Sequence, residues 1–459
     1  MATTYLTRTP SSASATQKAT FSFWVKKANS GGTPNLFRMY TGSTQYVRIR
    51  FEASNKLSFI IINSDSYVVQ LITTQVFTDA SAWYHIVFNM DTTQATASNR
   101  AKIYVNGEKI TAYDTANYPP TRNATVNVTP AGTANHIGTQ VGNSPSFFEG
   151  VMSHVHFTDG YVYEASSFGS TDSATGQWKI NTGPSVTYGT NGFFILKDGN
   201  TITDSSSNSN NFSLAAGTLT KTEDSPSNNF ATWNAKNFNL NANTLSNGNT
   251  KMNAGSDAAY PNSITSIGMP KSGKWYAEFK DVGSEGFVLG IADIPTFVEA
   301  LRTDTSGTIF TTGGSGAAIL RSVGDVIING SETSNVTPSF SQNQIAMIAY
   351  DADNGAIYFG RNGTFGTVGG VVGNPTSGSS RTGAINISGQ SWLATSEEQG
   401  FIVGSFSGSK FSIIEANFGN GYFGTTAVAS AGTNASGNGV FEYNVPAGYT
   451  ALSTKGLNL

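Results

Sequence analysis

The chain has 459 residues, enough for two or three domains with full cores. Its net charge is −3, only 12% of residues are charged, and no acidic or basic block occurs, which excludes an extended phosphate-tracking surface and hence a nucleic-acid partner. There is no cysteine and no Sec-type signal pattern in MATTYLTRTP, and apolar runs are short, as in FIII at 59–62; disulfide frameworks and membrane insertion are excluded, and synthesis in a cytosol is expected.

Gly (50 residues), Ser, Thr and Asn fill the polar positions, helix-forming runs are almost absent, and aromatics reach 12%. This composition predicts an all-β chain. TFSFWVK at 20–26 alternates, with Phe21, Phe23 and Val25 on one face. YVRIRFE at 46–52 and KLSFIII at 56–62 predict a meander, followed by VVQLITT at 68–74. WYHIVFNMD at 83–91 then runs through a turn into KIYVNGEKI at 102–110. HIGT at 136–139 and VMSHVHFTDG at 151–160 add strands, and NGFFILKD at 191–198 reads as the last strand of the first block.

From 199 to about 255 the chain turns polar, with DSSSNSNN at 204–211 and DSPSNNF at 224–230, and reads as a linker or irregular layer. Alternation restarts at GKWYAEFK, 273–280, with Trp275, Ala277 and Phe279 on one face. FVLGIAD, FIVGSF at 401–406 and FSIIEANFG at 411–419 continue it. Between them IAMIAYD at 345–351 leads into AIYFGRNGTF at 356–365, which repeats the 83–110 pattern. Each copy is an apolar strand ending in Asp, a turn, a strand through Ile-Tyr, and Asn-Gly, which reverses a chain because both residues tolerate positive φ. The repeat predicts two tandem antiparallel β-sandwiches: 1–200, then the polar tract 201–255, then 256–459, with PAGYTALST tucked onto the second.

The first block, TFSFWVKK followed by WYHIVFNMD, KIYVNGEKI, HIGT and FFEGVMSHVHFTDG, resembles the laminin-G-like, concanavalin-A-like domains over roughly 1–200. The second, with GKWYAEFK, VLGIAD, IAMIAYDADNGAIYFGRNGTF and EANFG in order, resembles a SPRY domain over roughly 260–425. The tract NGFFILKD, DSSSNSNNFS, DSPSNNFATWN is similar to a connector common in tailed-bacteriophage virion proteins, where it joins these two domain types. The ending, NFGNGYF through VPAGYTALSTKGLNL, looks like those chains as well. The resemblance implies two concanavalin-A-like sandwiches in a virion surface protein, structural or receptor-binding, made in the bacterial cytoplasm. Its partners would be other virion proteins and further copies of itself, most often as a homotrimer. The strand pattern begins near Phe21 and leaves little chain for a tail anchor. Attachment then falls to residues 1–20, which are polar with no strand pattern before Ala19, to a sandwich face, or to an adaptor. Tail fibre, tail tip, neck appendage and capsid decoration all stay open.

Concanavalin-A-like folds include glycoside hydrolases, which need two flanking carboxylates. No Glu-x-Asp-x-x-Glu run occurs; the nearest pair, Asp351 and Asp353, sits at a hairpin turn, where Asp serves backbone geometry. His154 and His156, with Asp159 nearby, begin a zinc-like pattern, but only His85 and His136 remain to complete four ligands. Asp65, Asp91 and Asp114 are available to calcium without a spacing that singles them out. TTGGSGAA at 311–318 lacks the Lys-Ser/Thr and helix of a phosphate loop, and no nucleophile elbow is visible. No cofactor is expected. The remaining lead is aromatic: Phe147, Phe148, Tyr161 and Tyr163, at loop or strand ends, as surfaces on which sugar rings stack. The expected function is non-enzymatic binding of a host-surface glycan. The alternatives are a capsid-decoration or neck subunit without ligand, and a glycan-degrading tailspike.

Overall fold

A computed structural model describes residues 3–28, 32–140, 146–197, 201–238, 243–254, 262–283, 286–303, 309, 315–333, 339–395, 398–405 and 412–458. The chain divides into two compact units, residues 1–221 with 225–227, and residues 222–224 with 228–459.

In the first unit the alternating Lys18–Lys27 strand turns Phe21, Phe23 and Val25 inward, each at most 1% exposed. It lies within a six-stranded sheet ordered Glu108–Lys109, Ala101–Val105, Trp83–Asp91, Lys18–Lys27, Gly150–Asp159, Phe193–Ile195. Opposite is an eight-stranded sheet ordered Tyr113–Asn117, Ser66–Val76, Lys56–Asn63, Gln45–Phe51, Asn35–Gly42, Asn135–Ile137, Tyr5–Arg8, Ser213–Ala216. Phe21 joins the two, its ring 4.8 Å from Phe37 and 4.6 Å from Phe157. Ile49, Phe59 and Phe88 fill the same core. Each such side chain contributes about 1.5–3 kcal/mol by burial.

The second unit is also a pair of packed sheets, antiparallel except where Thr450–Ala451 joins in parallel. One is ordered Trp233–Phe238, Asn262–Thr265, Gln399–Ser405, Phe287–Asp293, Ala317–Arg321, Val326–Ile328, Ser331–Thr333. The other runs Asn243–Ser246, Lys251–Ala254, Ile413–Asn417, Lys274–Asp281, Ile345–Asp351, Ala356–Arg361, Thr364–Phe365, with Ile385–Asn386 and Thr450–Ala451 added alongside. Trp275, Ala277 and Phe279 face the core with Leu289, Ile348 and Phe401, as their alternation requires. Thr450–Ala451 pairs with Trp275–Tyr276 and so carries the PAGYTALST segment onto the sheet.

The repeated hairpin is built identically in both units. Asn106 and Gly107 have φ of 48° and 88°, and Asn362 and Gly363 have 47° and 87°, the geometry of a type I′ turn. Each Asn also closes the adjoining strand. Asn106 donates its backbone N–H to His85 O and its Oδ1 accepts from His85 N, both at 2.8 Å; Asn362 makes the same pair with Ile345, both at 2.9 Å. The Asp that ends each strand caps the turn: Asp91 accepts from Thr93 N and Gln94 Nε2, and Asp351 from Asn354 N and Nδ2.

Three expectations need correction. Residues 1–20 are not a free polar end: Tyr5–Arg8 is an interior strand between Asn135–Ile137 and Ser213–Ala216, and Leu6 is in the core. A four-residue strand with one inward side chain is too short to register as alternation. NGFFILKD is not the last strand of the first unit: it ends the six-stranded sheet, and Ser213–Ala216 follows it at the edge of the eight-stranded one. The tract 201–255 is not one separate segment: its first part, irregular except for Ser213–Ala216, belongs to the first unit, and Trp233–Phe238, Asn243–Ser246 and Lys251–Ala254 supply strands to the second. Within it Asp204 is a hub. Its Oδ1 accepts from Phe194 N and Ser206 N at 2.8 and 2.9 Å, and its Oδ2 from Ser206 Oγ and Asn210 N at 2.7 and 2.8 Å. Asn208 and Asn210 donate to Gly192 O, and Arg8 donates to Asn210 Oδ1. Ser and Asn therefore serve here as loop staples.

Candidate ligand-binding face

Each sandwich has two outer sheet faces, and three of the four are covered. Residues 160–190 strap the six-stranded sheet. Tyr161 O accepts from Thr20 Oγ1 and Thr158 Oγ1, Tyr163 O accepts from Asn89 Nδ2, and Phe168 packs on Val87 and Tyr104. Trp178 lies so flat on Gly107 and Gly169 that a Cβ on either would come within 2.5 or 2.7 Å of its ring. In the second unit, helix Ile294–Thr303 brings Phe297 against Ile264, Val288, Ile319 and Ile402 on one sheet. Phe441, Val445 and Tyr449 cover Tyr276, Met347, Ala349 and Tyr358 on the other. Glu278 secures that cover, its carboxylate accepting from Glu442 N, Tyr443 N and Tyr276 Oη at 2.8, 2.8 and 3.0 Å. Among the described residues, no apolar cluster covers the outer face of the eight-stranded sheet.

That face is set by register. Antiparallel pairing places Thr7, His136, Arg38, Arg48, Ile60 and Gln70 in one row, with Tyr40, Tyr46, Ile62 and Tyr67 in the next. The alternate residues Met39, Val47 and Ile61 point into the core. Tyr40 and Tyr67 are 45% and 47% exposed, and the Tyr40 and Tyr46 rings lie 6.4 Å apart. Arg38, by contrast, is 5% exposed. Its guanidinium carbon stands 4.8 Å from the Tyr40 ring centroid and 4.2 Å from that of Tyr46. Burial, and then the Arg48 charge, lower the Arg38 pKa to about 10. Tyr5 extends the face toward His136 and Phe147, its ring 5.8 and 6.2 Å from theirs.

The four predicted aromatics separate. Phe147 borders this open face, Phe148 is buried in the core, and Tyr161 is 42% exposed on the strap. Tyr163 is a strut of the strap, accepting from Thr187 N and packing on Phe168. The expectation that Phe148 lines a ligand surface is thus corrected: it follows an exposed-side residue in an extended segment and so points inward. Tyr5, Arg38, Tyr40, Tyr46, Arg48 and Tyr67 were not singled out from the sequence. The usable signal was YVRIRFE, whose Tyr46, Arg48 and Arg50 alternate with core residues.

Acid–base groups elsewhere are committed to structure. Ser22 Oγ lies 2.9 Å from His85 Nε2, a pairing that looks nucleophilic. Trp178 Nε1, a donor only, bonds His85 Nδ1 at 3.0 Å, which places the imidazole proton on Nε2. His85 therefore donates to Ser22 and cannot take its proton. Burial lowers the His85 pKa to about 3. Asp351 pairs with Lys274 at 3.1 Å, and Asp353 accepts from Gly273 N. His154 and His156 both pack on Phe194, and Asp159 instead accepts from Asn191 N. Asp91 caps its turn, Asp114 pairs with Lys56, and Asp65 sits at a turn with φ 63°. Among the described residues no group of three or more His, Cys, Asp or Glu could hold a metal ion.

Residues 2–165 match the family described as the concanavalin A-like lectin/glucanases superfamily. No curated protein matches the chain. Solved structures similar to it include the SPRY domain of human HERC1, at 18% identity and TM-score 0.30, covering 40% of this chain and 96% of that one. The heptameric SAP-like pentraxin of Limulus polyphemus is similar at 14% identity and TM-score 0.26, covering 35% and 72%. Domains LG4-5 of the mouse laminin alpha1 chain are similar at 8% identity and TM-score 0.28, covering 96% and 93%.

Proposed function

We propose that this chain is a non-enzymatic, carbohydrate-binding surface protein of a tailed-phage virion, and that the outer face of the eight-stranded sheet is its glycan platform. One observation carries the site: of four outer sheet faces, this one alone has no apolar cluster over it among the described residues, and beside its buried middle, Arg38, Ile60 and Ile62, it presents the exposed rings of Tyr40 and Tyr67 and the half-buried rings of Tyr5 and Tyr46. Tyrosine offers a flat apolar ring to the C–H face of a sugar and a hydroxyl for hydrogen bonding, at small entropic cost. A concanavalin A-like lectin/glucanase domain is consistent with saccharide as the ligand class.

The virion assignment rests on the sequence: the DSSSNSNNFS and DSPSNNFATWN connector and the VPAGYTALSTKGLNL ending resemble those of phage chains. In this reading the partners are other virion proteins and further copies of the chain as a homotrimer. With Tyr5–Arg8 inside the sheet, attachment to the particle uses a sandwich face. Absence of catalysis is supported by the engaged state of Asp351 and Asp353 and by the direction of the His85–Ser22 hydrogen bond.

The test is an array of bacterial surface polysaccharides probed with the purified chain. Specific signal is expected, lost on combining Tyr40→Ala with Tyr46→Ala in protein that remains folded, and without release of reducing ends. A silent array, or reducing-sugar release, would contradict the proposal.

A further inference from the structure

The Arg38–Arg48 pair is built in a way that a neutral ligand does not explain. The two stand in direct register across a ladder, where like charges are destabilising. Glu52, just past the end of the second strand, is the acid beside Arg48, and Arg50 already holds it as a fork, with Nε–Oε1 3.0 Å and Nη2–Oε2 2.6 Å. Arg48 Nη2 reaches Glu52 only at 3.8 Å. Arg38 is buried, yet its Nε and Nη1 have no hydrogen-bond partner, and neither do Arg48 Nε and His136 Nδ1. Arg48 and Arg50 thus share one carboxylate, while the Arg38 guanidinium lies between the Tyr40 and Tyr46 rings. A buried donor without an acceptor costs free energy until something supplies one.

Resting on the glycan-binding reading, we infer that this face selects an acidic saccharide, one whose sugar carries a carboxylate or sulfate that Arg38 and Arg48 receive while Tyr40 and Tyr46 support the ring. Guanidinium matches such planar anionic oxygens with paired hydrogen bonds. Nucleic acid does not suit the site: the positive charge is a small cluster, Arg38, Arg48 and Arg50 with Glu52 among them, in a chain of net charge −3. A polymer with one anion per sugar fits a strip in which two charges are set among rings.

The experiment titrates the full chain with polygalacturonate, dextran sulfate, neutral dextran and polyglutamate. Polygalacturonate or dextran sulfate should bind about 10- to 100-fold tighter than dextran, and whichever is tighter identifies the anion. Arg38→Met and Arg48→Gln should each remove most of that advantage while leaving weak dextran binding in place. Neither should lower the melting temperature, since each relieves like-charge repulsion; a purely structural arginine would. Tighter binding to dextran, or equal binding of polyglutamate and polygalacturonate, overturns the inference while sparing the glycan platform or reducing it to bare charge, respectively. No binding to any saccharide overturns both. Persistence of the acidic preference in both arginine variants, read on folded protein, overturns the residue assignment.

Discussion

Arg38 and Arg48 face each other across the ladder between Asn35–Gly42 and Gln45–Phe51, with the Tyr46 ring 4.2 Å from one guanidinium and 5.8 Å from the other. Cross-strand like charges cost stability, and the ring offsets only part of it. Arg48→Gln should therefore stabilise the first unit by about 0.5 kcal/mol in low salt. Because added salt screens the repulsion, the gain should shrink at high ionic strength. Thermal unfolding at two salt concentrations checks this; destabilisation by Arg48→Gln would mean the pair is internally satisfied.

Trp178 and Trp24 sandwich His85, with ring centroids 5.9 and 4.7 Å from the imidazole. Trp178→Ala removes one plate, the N–H that holds the tautomer, and part of the strap's packing. The expected cost is about 3 kcal/mol, as for a large-to-small change at a packed site. The His85 ring, observed by NMR, should titrate closer to its ordinary range. An unchanged His85 titration would show that the strap does not control it.

The two units should respond to acid in opposite directions. Burial lowers His85 to about 3, so the unfolded chain binds a proton near 6.5 that the folded unit refuses. That stability is complete above pH 6.5 and is lost below it, at about 1.4 kcal/mol per pH unit. Burial also depresses His156. Burial raises Glu278 to about 7, so the folded second unit holds a proton that the unfolded chain releases above about 4.5. The second unit should gain stability as pH falls from 7 toward 4.5, at a similar slope. Amide exchange read unit by unit at pH 7 and 5.5, corrected for intrinsic rates, should show the first unit weakening and the second strengthening. Glu278→Gln should flatten the second response; parallel responses would contradict both assignments.

Asp204 decides the behaviour of the polar tract. Four donors converge on its carboxylate, so residues 204–212 should resist limited proteolysis in the wild-type chain. Asp204→Ala should cost about 2–3 kcal/mol, by stranding buried donors, and should open the tract to cleavage. Early cleavage of wild-type protein within 204–212 would contradict this.

What was legible in the sequence is what depends on local pattern. Phe21, Phe23 and Val25, or Trp275, Ala277 and Phe279, announce a half-buried strand by alternation, and Asn106-Gly107 announces its turn by φ tolerance. Tyr5–Arg8 was hidden because a short strand carries one inward residue and its partners lie more than a hundred residues away. The DSSSNSNN tract misled because Ser and Asn have the same composition in a loose linker and in a stapled loop. The open face was half legible: Tyr46, Arg48 and Arg50 show which residues share a side of one strand. Their meeting with Arg38 and Tyr40 depends on register, and what sets the face apart depends on the apolar clusters that cover the other three. Neither is local information.

The most direct test of the account is equilibrium titration of the tightest polysaccharide against the wild type, Tyr40→Ala combined with Tyr46→Ala, and Tyr161→Ala. Tyr161 is exposed to a similar degree but lies on the strapped side of the sandwich. The account predicts about a 100-fold loss in the double variant, roughly tenfold per ring, with no change in Tyr161→Ala and with all three proteins folded at the titration temperature. Full affinity in the double variant, or loss in Tyr161→Ala instead, would place the ligand on another surface and contradict the central claim.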